Sequence, residues 1–226
     1  MTSESIAIIG AGNVGTVIAR LARHAGLPVT MANSRGPASL AEKALSLDVA
    51  VAALDEAAAS ADVVVLAIPF FRTVDLDPKM FDGKLVIDPT NFDPARDGAV
   101  ADLVRKALPA EVLRDHLPGA RVIKAFSSVH AHNIQTLARP SGSPTRSAVP
   151  IAGHPEEAKL QVSALLDRLG WDTVDAGGLV DTRLFDLGTP AFVLPYLTDS
   201  SWGSMAADDG QPVSSDALRK LLDLAR

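Results

Sequence analysis

Gly10-Ala11-Gly12-Asn13-Val14-Gly15, directly after Ile6-Ala7-Ile8-Ile9, is the stretch on which the reading of this chain turns. Glycines at Gly-x-Gly-x-x-Gly spacing are weak evidence alone. Here a β-branched run precedes them and an amphipathic segment, Asn13–Ala25, follows, which is the strand–turn–helix context a dinucleotide-binding loop requires. Gly10 makes the tight turn, and Gly12 lets a pyrophosphate approach the backbone. Gly15 lets helix and strand pack closely, while the helix N-terminus offers N–H donors to the anion.

Outward from the loop, short strands alternate with amphipathic stretches, the rhythm of a parallel sheet. Ser5–Ile9, Leu27–Ala32, Val49–Ala52, Asp62–Ile68, Lys84–Asp88 and Arg121–Phe126 read as strands, with Pro69 and Pro89 as stops. Pro37–Ser46 reads as helical, as does Ala99–His116 with a break at Pro109. Ala57–Ala61 stands out only as Ala-rich. Arg139–Ser147, dense in Pro, Gly and Ser, reads as an exposed loop. Val149–Ala152, Glu156–Leu169 and Asp172–Ala176 then form a strand–helix–strand set. Thr198–Val213 shows no periodicity, Asp208-Asp209 reads as solvated loop, and a last helix spans Ser215–Leu224 with Ser214 or Ser215 as N-cap. The expected fold is α/β: a Rossmann-type, doubly wound, mostly parallel sheet with a small C-terminal strand–helix–strand extension. The expected domains are 1–138, binding the nucleotide, and 148–226, a small substrate or dimerisation region.

Composition narrows the chemistry. The 226 residues are 47% hydrophobic, 21% charged and only 4% aromatic, so the core is built from aliphatic side chains. A net charge of −6 disfavours nucleic acid as a partner. With no cysteine, thiolate nucleophiles, disulfides and Cys-ligated metals are excluded. The start carries no signal-peptide pattern, and the longest apolar run, Val63–Phe71, is far short of the roughly 20 residues needed to span a bilayer. A cytoplasmic enzyme without membrane partners is expected. The apolar stretch Ala191–Leu197 reads as core or as the interface of a homodimer.

The choice of dinucleotide rests on an absence. An NAD site wants a carboxylate about 20 residues past the loop, accepting from the ribose 2′-OH. Between Glu4 and Glu42 there is no Asp or Glu, and Asn33-Ser34-Arg35-Gly36 occupies that place. Ser34 suits hydrogen bonds to a 2′-phosphate and Arg35 an ion pair with it or a stack on adenine, with Arg20 and Arg23 adding positive potential. NADP(H) is the expected cofactor.

Ligands of open α/β sheets lie beyond the carboxyl ends of the strands. The nicotinamide is therefore expected over Ile68-Pro69-Phe70, Pro89-Thr90-Asn91 and Ser127-Ser128, with Arg72 within reach. The cofactor-binding set is Gly10, Ala11, Gly12, Asn13, Val14, Gly15, Asn33, Ser34, Arg35, Ile68, Pro69, Phe70, Asn91 and Ser127. No metal set is expected: His130 and His132 would need a third ligand, and His154 is the only other histidine in that half. A proton role for the pair stays open. No Gly-x-Ser-x-Gly elbow or Walker loop occurs.

With these residues placed, the chain resembles the NADP-dependent oxidoreductase family whose best-known members reduce the deazaflavin coenzyme F-420. The likeness rests on the Gly-Ala-Gly-Asn-Val-Gly loop, Asn33-Ser34-Arg35, Ala67-Ile68-Pro69, Asp88-Pro89-Thr90-Asn91, Lys124-Ala125-Phe126 and Asp175-Ala176-Gly177-Gly178-Leu179. Ser127-Ser128 depart from an Asn the family often shows, and Phe185-Asp186 from a Leu-Glu pair. The resemblance implies hydride transfer between NADPH and a flat redox cofactor, deazaflavin or flavin, as the small-molecule substrate. No essential protein acid or base is expected. A reductase of a small imine or carbonyl, and a non-catalytic NADP(H) sensor, are the alternatives.

Overall fold

A computed structural model of the chain describes residues 4–199 and 208–226. The chain divides into two compact units, Met1–Val122 and Ile123–Arg226.

The first unit runs β1 (Ile6–Ile9), α1 (Asn13–His24), β2 (Val29–Ala32), a 3-10 turn Pro37–Leu40, α2 (Ala41–Leu47), β3 (Ala50–Val51), α3 (Leu54–Ser60), β4 (Val63–Leu66), α4 (Phe70–Thr73), a 3-10 turn Pro78–Phe81, β5 (Leu85–Asp88), α5 (Pro94–Asp97), a 3-10 turn Gly98–Val100, α6 (Ala101–Val104) and α7 (Pro109–His116). Its strands are parallel in the order β3-β2-β1-β4-β5. The chain builds outward from β1 to β3, then returns to lay β4 on the other side of β1. That reversal opens a crevice outside the carboxyl ends of β1 and β4, the place where such sheets bind ligands.

Side chains alternate across a strand, so a sheet covered on both faces needs apolar residues at every position. β1 meets this demand, since Ile6, Ala7, Ile8 and Ile9 are all at or below 1% exposed. On one face Ala7, Ile9, Val64, Leu66 and Val86 join Ala57 and Ala58 of α3, Phe81, and Leu113 of α7 in a single cluster. α1 packs on β1 and β2.

The second unit contains β6 (Arg121–Lys124), which enters it from the end of the first, then α8 (Ala131–Thr136), β7 (Ala148–Gly153), α9 (Glu156–Arg168), β8 (Asp172–Gly177) and α10 (Ser215–Leu224). β7 runs antiparallel to β6 and parallel to β8. Trp171 is its hub: its ring meets Phe126 edge-on at 5.7 Å and Tyr196 at 6.2 Å, and its Nε1 donates to the Ile134 carbonyl at 3.0 Å. Ala191, Phe192, Val193, Tyr196 and Leu197 are buried within this unit's own chain, so the stretch read as core or interface contributes to core.

Several expectations need correction. The helix expected over Pro37–Ser46 is a 3-10 turn followed by α2, because Leu40 leaves helical geometry at φ −110°, ψ 3°. The Ala-rich Ala57–Ala61 belongs largely to α3, started by the Glu56 carboxylate accepting from the Ala53 amide at 3.2 Å. Ala99–His116 breaks into three short helical pieces, and Leu108 before Pro109 is extended at ψ 151°, as a residue preceding proline prefers. Of Thr198–Val213, residues 200–207 lie outside the described residues. Asp208 is no solvated loop residue: it is 8% exposed and accepts from the Thr198 amide, the Thr198 hydroxyl and the Gly210 amide. Of the two candidate caps for α10, it is Ser214 that accepts from the Ala217 amide, at 3.2 Å.

The loop Arg139–Ser147 also differs from expectation, because its end is buried. Arg146 donates to Asp172 at 2.6 Å, to the Asp167 carboxylate at 2.7 Å and to the carbonyls of Arg139 and Asp167 at 2.7 and 2.9 Å. One guanidinium thus pins the loop to α9 and β8. Arg146→Met is expected to lower stability by about 1.5–3 kcal/mol, the scale of hydrogen bonds to charged groups. The check is the chemical-denaturation midpoint, with Arg35→Met on an exposed turn as the control that leaves it in place.

Candidate functional site in the first unit

Two of the three loop glycines are required by the fold. Gly10 has φ +113°, and a Cβ there would meet the Ala67 carbonyl oxygen at 2.1 Å. At Gly15 a Cβ would fall 2.2 Å from the Gly10 carbonyl oxygen. Gly12 is different: it has an ordinary φ of −76°, and a Cβ would meet nothing within 4 Å. No protein atom demands glycine at position 12. The open space beside it is room for a ligand.

That space is a cavity of about 290 Å³ lined by Gly12, Asn13, Val14, Leu66, Ala67, Ile68, Pro69, Pro89, Thr90, Asn91 and Arg96. Its walls come from the first turn of α1 and the loops after β4 and β5, the carboxyl ends of adjacent strands. Gly12 is the N-cap of α1 without a side-chain cap, and the first turn holds no acidic residue. The amides there keep their donors and the positive end of the helix dipole for an anion. Asp88, fully buried, accepts from the Thr90 amide at 2.8 Å and shapes the turn after β5.

The amide of Gly10 donates to the Ala32 carbonyl at 2.8 Å, tying the loop to the end of β2. There Asn33 Oδ1 accepts from the Arg35 amide at 2.8 Å and from the Ser39 hydroxyl at 3.1 Å. This self-supporting turn leaves Ser34 and Arg35 exposed, where they could hold a 2′-phosphate.

Most of the expected set is brought together here, with exceptions. Phe70 does not line the cavity: its ring is fully buried, edge-on to Phe92 at 6.1 Å, and supports the loop from behind. Arg72 lies over the Phe71 ring at 4.7 Å and pairs with Asp75 on the surface. Arg23 is taken up by Asp48 and the Leu27 carbonyl. Ser127 belongs to the second unit, where it is buried. In that unit His132 faces Asp209 at 3.1 Å, and burial followed by the charge of His132 lowers the pKa of His130. Among the described residues no group of three His, Cys, Asp or Glu could hold a metal, and no helix is long and apolar enough to cross a membrane.

Two residues escaped the sequence reading. Lys43 on α2 donates to the Ala11 carbonyl and to the Thr16 hydroxyl, both at 2.8 Å, and so buttresses the glycine loop. A lone lysine on an amphipathic helix gives no signal of this in sequence. Arg96 lines the cavity itself. Its only sequence signal is the neighbouring Asp97, an ordinary-looking charge pair.

Residues 5–92 match the model of a family described as NADP oxidoreductase, coenzyme F420-dependent. A hypothetical protein from Sinorhizobium meliloti is 32% identical, the match covering 85% of this chain and 95% of that one, with a TM-score of 0.74. A proposed F420-dependent NADP reductase from Arthrobacter sp. FB24 is 25% identical over 80% of this chain and 88% of its own, with a TM-score of 0.69. An imine reductase from Aspergillus terreus shares the fold at 18% identity and a TM-score of 0.57, over 79% of this chain and 56% of its own. No curated protein matches the chain.

The glycines separate fold from binding. Gly12→Val is expected to leave the circular dichroism spectrum and melting midpoint in place while abolishing the fluorescence enhancement of added NADPH. Gly15→Val, whose side chain meets backbone, is expected to unfold the first unit. Retained NADPH binding in Gly12→Val would mean that the loop is only a turn.

Proposed function

The chain belongs to the family of NADP oxidoreductases described as coenzyme F420-dependent, and from that premise we propose that it passes a hydride between NADPH and a flat redox cofactor, a deazaflavin or a flavin. The observation that carries this reading is the lining of the cavity. Among the described residues that line it there is no Asp, Glu, His, Lys or Tyr. Reduction of a carbonyl or imine is usually helped by a positioned proton donor worth about 10²–10⁴-fold. A ring acceptor needs mainly to be held face to face with the donor, and walls of mostly small side chains, with the always-protonated Arg96 as their one charge, suit that task.

Each part of the site has a task in this scheme. The α1 amides of Asn13 and Val14 hold the pyrophosphate, which Gly12 admits. Ser34 and Arg35 hold the 2′-phosphate, and Asn33 fixes their turn. Ile68, Pro69 and Asn91 bound the space for the nicotinamide and exclude water from it. Bound NADPH supplies the hydride. Gly10, Ala11 and Gly15, braced by Lys43, keep the loop in the shape that receives it.

Arg35→Ala is expected to weaken NADPH binding by about 1.5–3 kcal/mol, the scale of a charge-assisted hydrogen bond, and to leave NADH binding almost unchanged. Equal losses for both cofactors would refute the role given to Arg35.

The histidines test the chemical step. Burial, followed by the charge of His132, holds the His130 imidazole below the ordinary histidine range and favours its neutral form. Single-turnover reduction of a flavin by NADPH is expected to lack an ionisation near pH 6–7 and to change less than about tenfold in His130→Ala and His132→Ala. A hundredfold fall with loss of such an ionisation would point instead to acid catalysis on a small imine or carbonyl.

A further inference from the structure

Arg96 is the one cation among the described residues that line the cavity, and its orientation is fixed. Its Nε donates to Asp97 Oδ1 at 3.0 Å and its Nη2 to Asp97 Oδ2 at 2.7 Å. Nη2 also donates to the Asn91 carbonyl at 2.7 Å. Asp97 is fully buried and accepts from the Asp93 amide at 2.8 Å and the Phe71 amide at 3.3 Å. One carboxylate therefore ties the loops after β4 and β5 together and holds the Arg96 guanidinium beside the Asn91 carbonyl, on a residue that lines the cavity. Burial pushes the Asp97 carboxyl up, but the Arg96 hydrogen bond, the two amides and the Arg96 charge outweigh it and keep it ionised. These three bonds use the Nε and Nη2 hydrogens, while Nη1 carries the two remaining donors of the fork on a side chain 45% exposed.

We propose that Arg96 determines substrate specificity: it takes a phosphate or carboxylate oxyanion carried by the hydride acceptor, with Asp97 as its positioning residue. The inference rests on the reading that the acceptor enters this cavity. An ion pair serving structure alone has no need to face a cavity, whereas a pre-oriented arginine fork matches an oxyanion in shape and charge. The cofactor's pyrophosphate has its own donors at the start of α1, so the anion belongs to the other substrate.

FMN and riboflavin share one ring and differ by a phosphate. Each is titrated into the full chain saturated with NADP⁺. The wild type is expected to bind FMN at least tenfold more tightly than riboflavin, and Arg96→Gln to erase that preference while Arg96→Lys keeps part of it. NADPH affinity is expected to fall far less than FMN affinity in both variants, because the α1 amides and the Ser34–Arg35 turn still hold the cofactor. If Arg96→Gln leaves Asp97 uncompensated and fails to fold, the double variant Arg96→Gln/Asp97→Asn removes both charges and carries the same test. Equal binding of the two flavins by the wild type, or no binding of FMN, overturns the proposal. So does a variant that loses NADPH while keeping the flavin ratio, since the anion would then be the cofactor's pyrophosphate. Flavin reduction followed in parallel samples holding NADPH in place of NADP⁺ separates the two readings: discrimination without turnover removes the hydride-transfer function and leaves Arg96 as an anion-binding residue.

Discussion

Within the first turn after β1 the backbone passes so near itself and the β4 loop that at two positions no side chain fits. Gly10 abuts the Ala67 carbonyl and Gly15 abuts the Gly10 carbonyl. This double contact sets the angle at which α1 leaves the sheet, and with it the direction of the uncapped amides at the helix start. It also brings the β1 and β4 loops together at the place where the strand order reverses. The crevice, its anion-binding end and its opening toward β5 all follow from two positions where only hydrogen can stand.

Buried charge has two uses in this chain, distinguished by what encloses it. In the second unit Arg146 spends its donors on two carboxylates and two carbonyls of its own loop, helix and strand. Lys159, 5% exposed, is likewise held between Glu156 and Asp175. These cations join pieces of backbone. In the first unit Arg96 instead grips one carboxylate, Asp97, through two bonds and is turned partly outward, so that fixing the loops also leaves a charge on a residue that lines a cavity.

The fold was legible where local chemistry is strict. The glycine spacing, the β-branched runs and the missing carboxylate before Glu42 led to the parallel sheet and to NADP(H) without any tertiary information. Helix ends near Pro109 and Ser214 were legible for the same reason. Partnerships over long sequence distance were not. Lys43 reaches Ala11 across 32 residues and Asp97 reaches Phe71 across 26, and neither pattern leaves a periodic trace. Phe70 was misplaced because an aromatic beside a proline looks the same whether it lines a cavity or props the loop behind it. Asp208 looked like a solvated acid because its partner amides, at Thr198 and Gly210, belong to segments without repeating structure.

The lysine beneath the glycine loop has a consequence in kinetic terms. Because Lys43 holds the Ala11 carbonyl and the Thr16 hydroxyl on one ammonium, the receiving shape of the loop is braced from behind. A turn braced in this way has little to rearrange on docking, so related dinucleotides differ little in their rates of arrival. Discrimination between them falls to how long each stays, and residence time becomes the quantity on which selection at Ser34 and Arg35 would act.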